Sequence, residues 1–211
     1  MHLRNFYFVA RLFYHTYILS KLIALFLRLL GVHVGKNFFA REFPIIIADE
    51  ISNIRIGNNV SFNGKIDLRA LKGSTLVLGN NARLDTGVRI LVTNFSKAVF
   101  GDFCDIGCYS IFNCGENFNM GANCLVAGHC YFQTSNHGYA AAHLIRDQDH
   151  IHCSIDIGDD CWFGGGVFVL PGANCGTGVV IGANSVVNSS ISHYNIAVGS
   201  PAKVIRNRKD F

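Results

Sequence analysis

Between Ser154 and Arg206 an apolar residue returns every six positions, at Ile157, Phe163, Val169, Cys175, Ile181 and Val187, and four of these are followed at once by glycine. A period of six matches neither the 3.6 of a helix nor the 2 of a two-sided strand. It matches a solenoid of short strands joined by tight corners, in which each face of each turn buries one side chain. Six residues per face and three faces make 18 residues per coil, the spacing from Ile157 to Cys175.

The same register extends upstream. Ile56, Phe62 and Leu68 form one coil; Leu78, Leu84 and Ile90 the next; Phe100, Ile106 and Phe112 a third; Met120, Val126 and Phe132 a fourth. Successive coils start 22, 22, 20, 37 and 18 residues apart, and a glycine follows each first anchor, at Gly57, Gly79, Gly101, Gly121, Gly158 and Gly176. Only the step from Met120 to Ile157 exceeds a small corner insertion, with 19 extra residues between Phe132 and Ile157. The sequence therefore reads as an all-β solenoid over residues 32–207, with one long excursion at 133–156 and a short tail at 208–211. Residues 32–55, with the Pro44–Ile47 run, read as a transition holding a first, irregular coil.

Residues 1–31 are apolar, favour a helix and end at Gly31, a natural C-cap. Arg11, Lys21 and Arg28 interrupt every run that approaches the roughly 20 residues needed to span a bilayer. Two readings stay open: a helix lying in the membrane interface, drawn to anionic lipid at the inner face, or a helix that covers the open end of the solenoid or packs against a neighbouring subunit. The charge is lopsided. Residues 1–41 hold Arg4, Arg11, Lys21, Arg28, Lys36 and Arg41 with no acid, which leaves 12 basic against 14 acidic residues for the rest of a chain of formal charge +4. A nucleic-acid reader carries its basic surplus across the folded domain, so no nucleic-acid partner is expected.

The chain has 8 cysteines but no CxxC pair and no cleavable signal peptide, so a cytoplasmic setting is expected. Cys104, Cys124 and Cys161 each lie four residues after a coil's first anchor, where other coils carry Val60, Ala82 and Val179. A slot that takes Val, Ala or Cys wants a small apolar side chain, which a reduced thiol is.

At these residues the chain resembles the hexapeptide-repeat acyltransferases with a left-handed parallel β-helix, in particular the acetyl-CoA-dependent sugar and polysaccharide O-acetyltransferases. The resemblance covers about residues 54–207 and is most specific in WFGGGVFVLPGANCG, VVIGANSVV and AVGSPAKVIR within Trp162–Arg206. It implies left-handedness, a homotrimer, acetyl-CoA as co-substrate and a sugar or polysaccharide acceptor of capsule or lipopolysaccharide type.

The excursion QTSNHGYAAAHLIRDQDHIHCS holds His137, His143, His150 and His152, with His129 just before it. Similar enzymes place a catalytic histidine in such a loop, which implies His137 as the base that takes the proton of a sugar hydroxyl. Asn113 sits one residue past an anchor, stacked near Gln133, and its amide suits orienting a substrate or intermediate; a corner asparagine ladder is the plainer reading. Asp147 or Asp149 could orient the imidazole, and the sequence selects neither. Trp162, the single tryptophan, reads as an outward aromatic that covers coenzyme A or acceptor, or that packs between subunits. The resemblance further implies coenzyme A contacts at Gly165, Ala183, Asn188, Ser189, Lys203 and Arg206, although Asn188-Ser189 stands where Thr-Lys is common.

Three other functions fit less well. An amino-sugar N-acetyltransferase is the nearest. A zinc enzyme resembling the γ-class carbonic anhydrases would need convergent histidines and an HxxxxH pair, which the chain lacks, so no metal is expected. A non-catalytic assembly protein would leave the histidine-bearing loop without a role.

Overall fold

The structure is a computed structural model that describes residues 2–210, with side chains from residue 16 onward. It is a left-handed parallel β-helix of seven coils behind an N-terminal helix, α1 (His2–Leu29). Each coil contributes one short strand to each of three parallel faces. Coil 1 comprises His33–Val34, Phe39–Ala40 and Ile45–Ala48, and coil 7 comprises Asn174–Cys175, Val180–Ile181 and Val186–Val187. Asn195–Val198 then joins the second face, and Lys203–Asn207 closes it antiparallel.

The 18 anchors read from the period all point inward, none more than 4% exposed. Phe100, Phe112, Phe118, Phe132 and Phe163 form a continuous aromatic pile, with Phe112 and Phe132 stacked at 4.5 Å. The corner glycines have a steric cause. A Cβ on Gly79 would lie 2.5 Å from the carbonyl of Gly101 one coil on, so the stacked corners leave no room for a side chain. The left-handed turn itself falls two residues later, at Asn59 (φ 56°) and Asn81 (φ 58°), where asparagine tolerates that conformation. The cysteine slot is also explained. The thiols of Cys104, Cys124 and Cys161 each donate to a glycine carbonyl one coil on, at 3.1, 3.3 and 3.2 Å.

Coil 1 corrects one expectation. Residues 32–48 form a regular turn, with His33↔Arg55, Ala40↔Phe62 and Ile46↔Leu68 in register with coil 2. Val34, Ala40 and Ile46 already keep the sixfold spacing, but Ala40 is a weak apolar signal and the Pro44–Ile47 run masks it.

Helix α1 covers the open end of coil 1. Ser20, Ile23, Ala24 and Leu27 are buried against it, and the Ser20 hydroxyl donates to Phe38 O and accepts from Ala40 N. Gly31 (φ 98°) ends the helix, with Val32 N donating to Leu27 O. The helix thus acts as a cap. Among the described residues no helix is long and apolar enough to cross a membrane.

Candidate active site

The excursion leaves coil 5 after Gln133 and returns to coil 6 as an antiparallel hairpin of Ser135–His137 and His150–His152. Its base is fixed by Thr134, which is fully buried. Thr134 N donates to Asn113 O at 3.1 Å, its hydroxyl accepts from Glu116 N at 2.9 Å, and its carbonyl accepts from Cys153 N at 2.9 Å. The arch beyond is held by Gln148, whose side chain accepts from Ala140 N (2.8 Å) and donates to Ala140 O and His143 O (3.0 Å each).

These contacts hold the hairpin over the third face and enclose a cleft of about 800 Å³. His137 and Asn113 both line it, so the structure brings together the two side chains singled out for chemistry. Asn113 pairs in register with Gln133, and its amide donates to the Tyr131 hydroxyl at 2.6 Å, which fixes its orientation. The His137 ring faces His150 at 4.2 Å, and His150 in turn lies 6.0 Å from His152. Neither of these two was assigned a role from sequence. The signal was present, because His-Ile-His places both imidazoles on one side of a strand. Lys72 and Asn94 were also missed; they line the end of the cleft nearest α1 through stacked corners of coils 2 and 3.

The two candidate acids separate. Asp149 lines the cleft, whereas Asp147 lies in the exposed arch, 3.7 Å from Arg146. Cys114 is the only thiol lining this cleft; burial holds its pKa far above the ordinary thiol range. A thiol kept protonated is a poor nucleophile, so Cys114 is set apart from the imidazoles and Asp149, the groups in this lining that can accept a proton. Among the described residues no three metal-ligating side chains converge.

The remaining candidates lie elsewhere on the chain. Trp162 lines a separate pocket of about 400 Å³ with Arg83, Asp85, Asp105 and Leu125. Gly165 and Ala183 occupy the same corner in coils 6 and 7, linked through Asn184 N donating to Gly165 O at 2.9 Å. Asn188 and Ser189 are exposed just past coil 7, and Lys203 and Arg206 project from the closing strand. None of these lines the His137 cleft within one chain.

No protein-family model matches the sequence. Among curated proteins, one named as an acetyltransferase in Mycobacterium tuberculosis is 31% identical over 83% of this chain and 51% of its own length. Staphylococcus aureus proteins named as acetyltransferases are 39% identical over 44% of the chain and 56% of theirs. The chain thus spans about half the length of these relatives. The Escherichia coli protein named for colanic acid biosynthesis, the acetyltransferase WcaF, is 33% identical over 62% of this chain and 69% of its own. Solved structures share the fold. A variant of AntD, an N-acyltransferase from Bacillus cereus in complex with dTDP and coenzyme A, superposes with a TM-score of 0.63 at 17% identity, over 86% of this chain and 87% of that one. A maltose O-acetyltransferase from Clostridium difficile gives 0.50 at 24%, over 92% and 84%. With a sixfold repeat wound into a β-helix, a histidine hairpin on one face and WcaF matched over more than two thirds of its length, the chain belongs to the hexapeptide-repeat acetyltransferases.

Proposed function

We propose that this protein transfers an acetyl group from acetyl-CoA directly to a hydroxyl of a sugar in a surface polysaccharide. The observation that carries the reading is the shared cleft of His137 and Asn113. The His137 imidazole takes the acceptor hydroxyl proton as its oxygen attacks the thioester carbonyl. The new C–O bond forms, the C–S bond breaks, and the proton passes to the departing thiolate. Asn113, held by Tyr131, orients the reacting groups without adding charge.

The cleft's lining favours a hydroxyl over an amine. An amino sugar arrives as a cation, yet the walls offer it a single carboxylate, Asp149, balanced by Lys72. Thr93, Asn94, Asn113, Gln133 and Ser135 offer the amides and hydroxyls that pair with sugar hydroxyls. The cleft crosses coils 2 to 5, about 14 Å at the usual spacing between strands, longer than one sugar ring. Phe95, next in the chain to Asn94, is 84% exposed at φ 60°. Its ring lies over the Gly73 corner one coil back and presents its outer face to solvent, where it could stack against a further sugar of the chain.

The coenzyme would run along the small residues at Gly165 and Ala183, past Trp162, Asn188 and Ser189, with Lys203 and Arg206 meeting its phosphates. Because these positions and His137 do not share a cavity in one chain, a homotrimer with coenzyme A between neighbours fits them best. Acetyl-CoA turnover with size-fractionated surface polysaccharides tests the reading. Transfer to a hydroxyl, lost in His137→Ala, is expected; full turnover by that variant would overturn the assignment.

A further inference from the structure

Helix α1 buries one side and leaves the opposite side apolar. Ile18, Leu22, Leu25, Phe26 and Leu29 follow one another at helical spacing and are all exposed, Leu29 by 76%. The stripe continues onto coil 1, where Phe43 meets Phe26 edge to face at 5.9 Å and is itself half exposed. A contiguous apolar surface of this kind on a folded protein marks a contact site. Along one flank of the stripe Lys21, Arg28 and Lys36 line a shared pocket with no acid in its lining, while Glu42 stands beside Phe43 at its far end. Lys21 borders the stripe with its ammonium 4.6 Å over the Tyr17 ring.

We infer that the outer face of α1 docks in the plane of an anionic lipid bilayer, the apolar stripe entering the headgroup–acyl boundary and the cations meeting lipid phosphates. A helix with a charged margin, too interrupted to span, takes this position. A twofold pairing with a second copy fits less well, because it would set Lys21, Arg28 and Lys36 of the two copies against each other; contact within a threefold assembly is distinguished by the assembly mass. The inference is independent of the transfer chemistry.

Co-sedimentation of the full chain with vesicles of phosphatidylcholine alone, and with a quarter phosphatidylglycerol, tests it. Binding to the anionic vesicles is expected, weakened at least tenfold on pure phosphatidylcholine or in 0.5 M salt. Leu22→Glu/Leu25→Glu alters only exposed positions and is expected to lose that binding while keeping its thermal unfolding midpoint. Lys21→Glu provides a second variant that leaves the stripe intact and is expected to weaken binding. Failure of the wild-type chain to sediment with anionic vesicles would overturn the inference. So would equal binding by the double variant, or a fall in its assembly mass, which would show that the stripe contacts another copy.

Discussion

In the coils the inward side chains are buried and, from coil 2 to coil 6, each strand's backbone is paired with the coil before and after it, whereas from Tyr139 to Asp147 every residue is exposed. The coils repeat one solution, so each turn stabilises only its neighbours and needs nothing new from its sequence. The hairpin has no such repetition. It is held by Thr134 at its base and Gln148 in its arch, and it carries the imidazoles. The proposed base lies where the repeat is interrupted, because a side chain spent on packing is not free to meet a substrate.

The contrast can be broken from either side. The largest effect expected is from His137→Ala, a loss of about 10²–10⁴-fold in acetyl transfer with the unfolding midpoint unchanged, read by steady-state kinetics beside thermal melts. Phe132→Ala should do the reverse, costing about 3–5 kcal/mol in denaturant unfolding as the stack on Phe112 is lost. Thr134→Val lies where the two regions meet. It keeps the shape but leaves the Glu116 N–H without its acceptor, so about 1–3 kcal/mol of stability and part of the activity should go together. The smallest effect concerns the core thiols. Burial pushes the Cys175 thiol up to about 12 from an ordinary 9.0, so the folded state holds that proton more tightly than the unfolded chain. Its contribution is full below pH 9 and is lost as pH rises from 9 towards 12. Melting across that range should show the decline. A thiol reagent at neutral pH should label the exposed Cys153 well before Cys114 or Cys175.

The coils were largely legible because burial of one side chain per face leaves a period in the sequence; every anchor from Ile56 to Val187 is inside. Coil 1 was read as irregular because Ala40 gives little hydropathic signal. His137 and Asn113 could be placed because each is counted from an anchor, Phe132 and Phe112. His150, His152 and Lys72 could not be placed in this way. Their convergence depends on how the hairpin folds back and which corners stack beneath it, and neither leaves a periodic trace. The face of α1 that meets coil 1 was also hidden, since apolar residues surround the helix and only contact separates Leu27 from Leu25.

Phe118 of coil 5 pairs with Ile155 of coil 6 as though the intervening residues were absent, and the insertion closes on itself through its own hairpin and the bond from Cys153 N to Thr134 O. To the prism, then, the arm is a detachable tool: its length and contents can be exchanged without renegotiating a single rung of the ladder. If the proposed transfer holds, the acceptor could be changed in the arm while the handle stays unaltered.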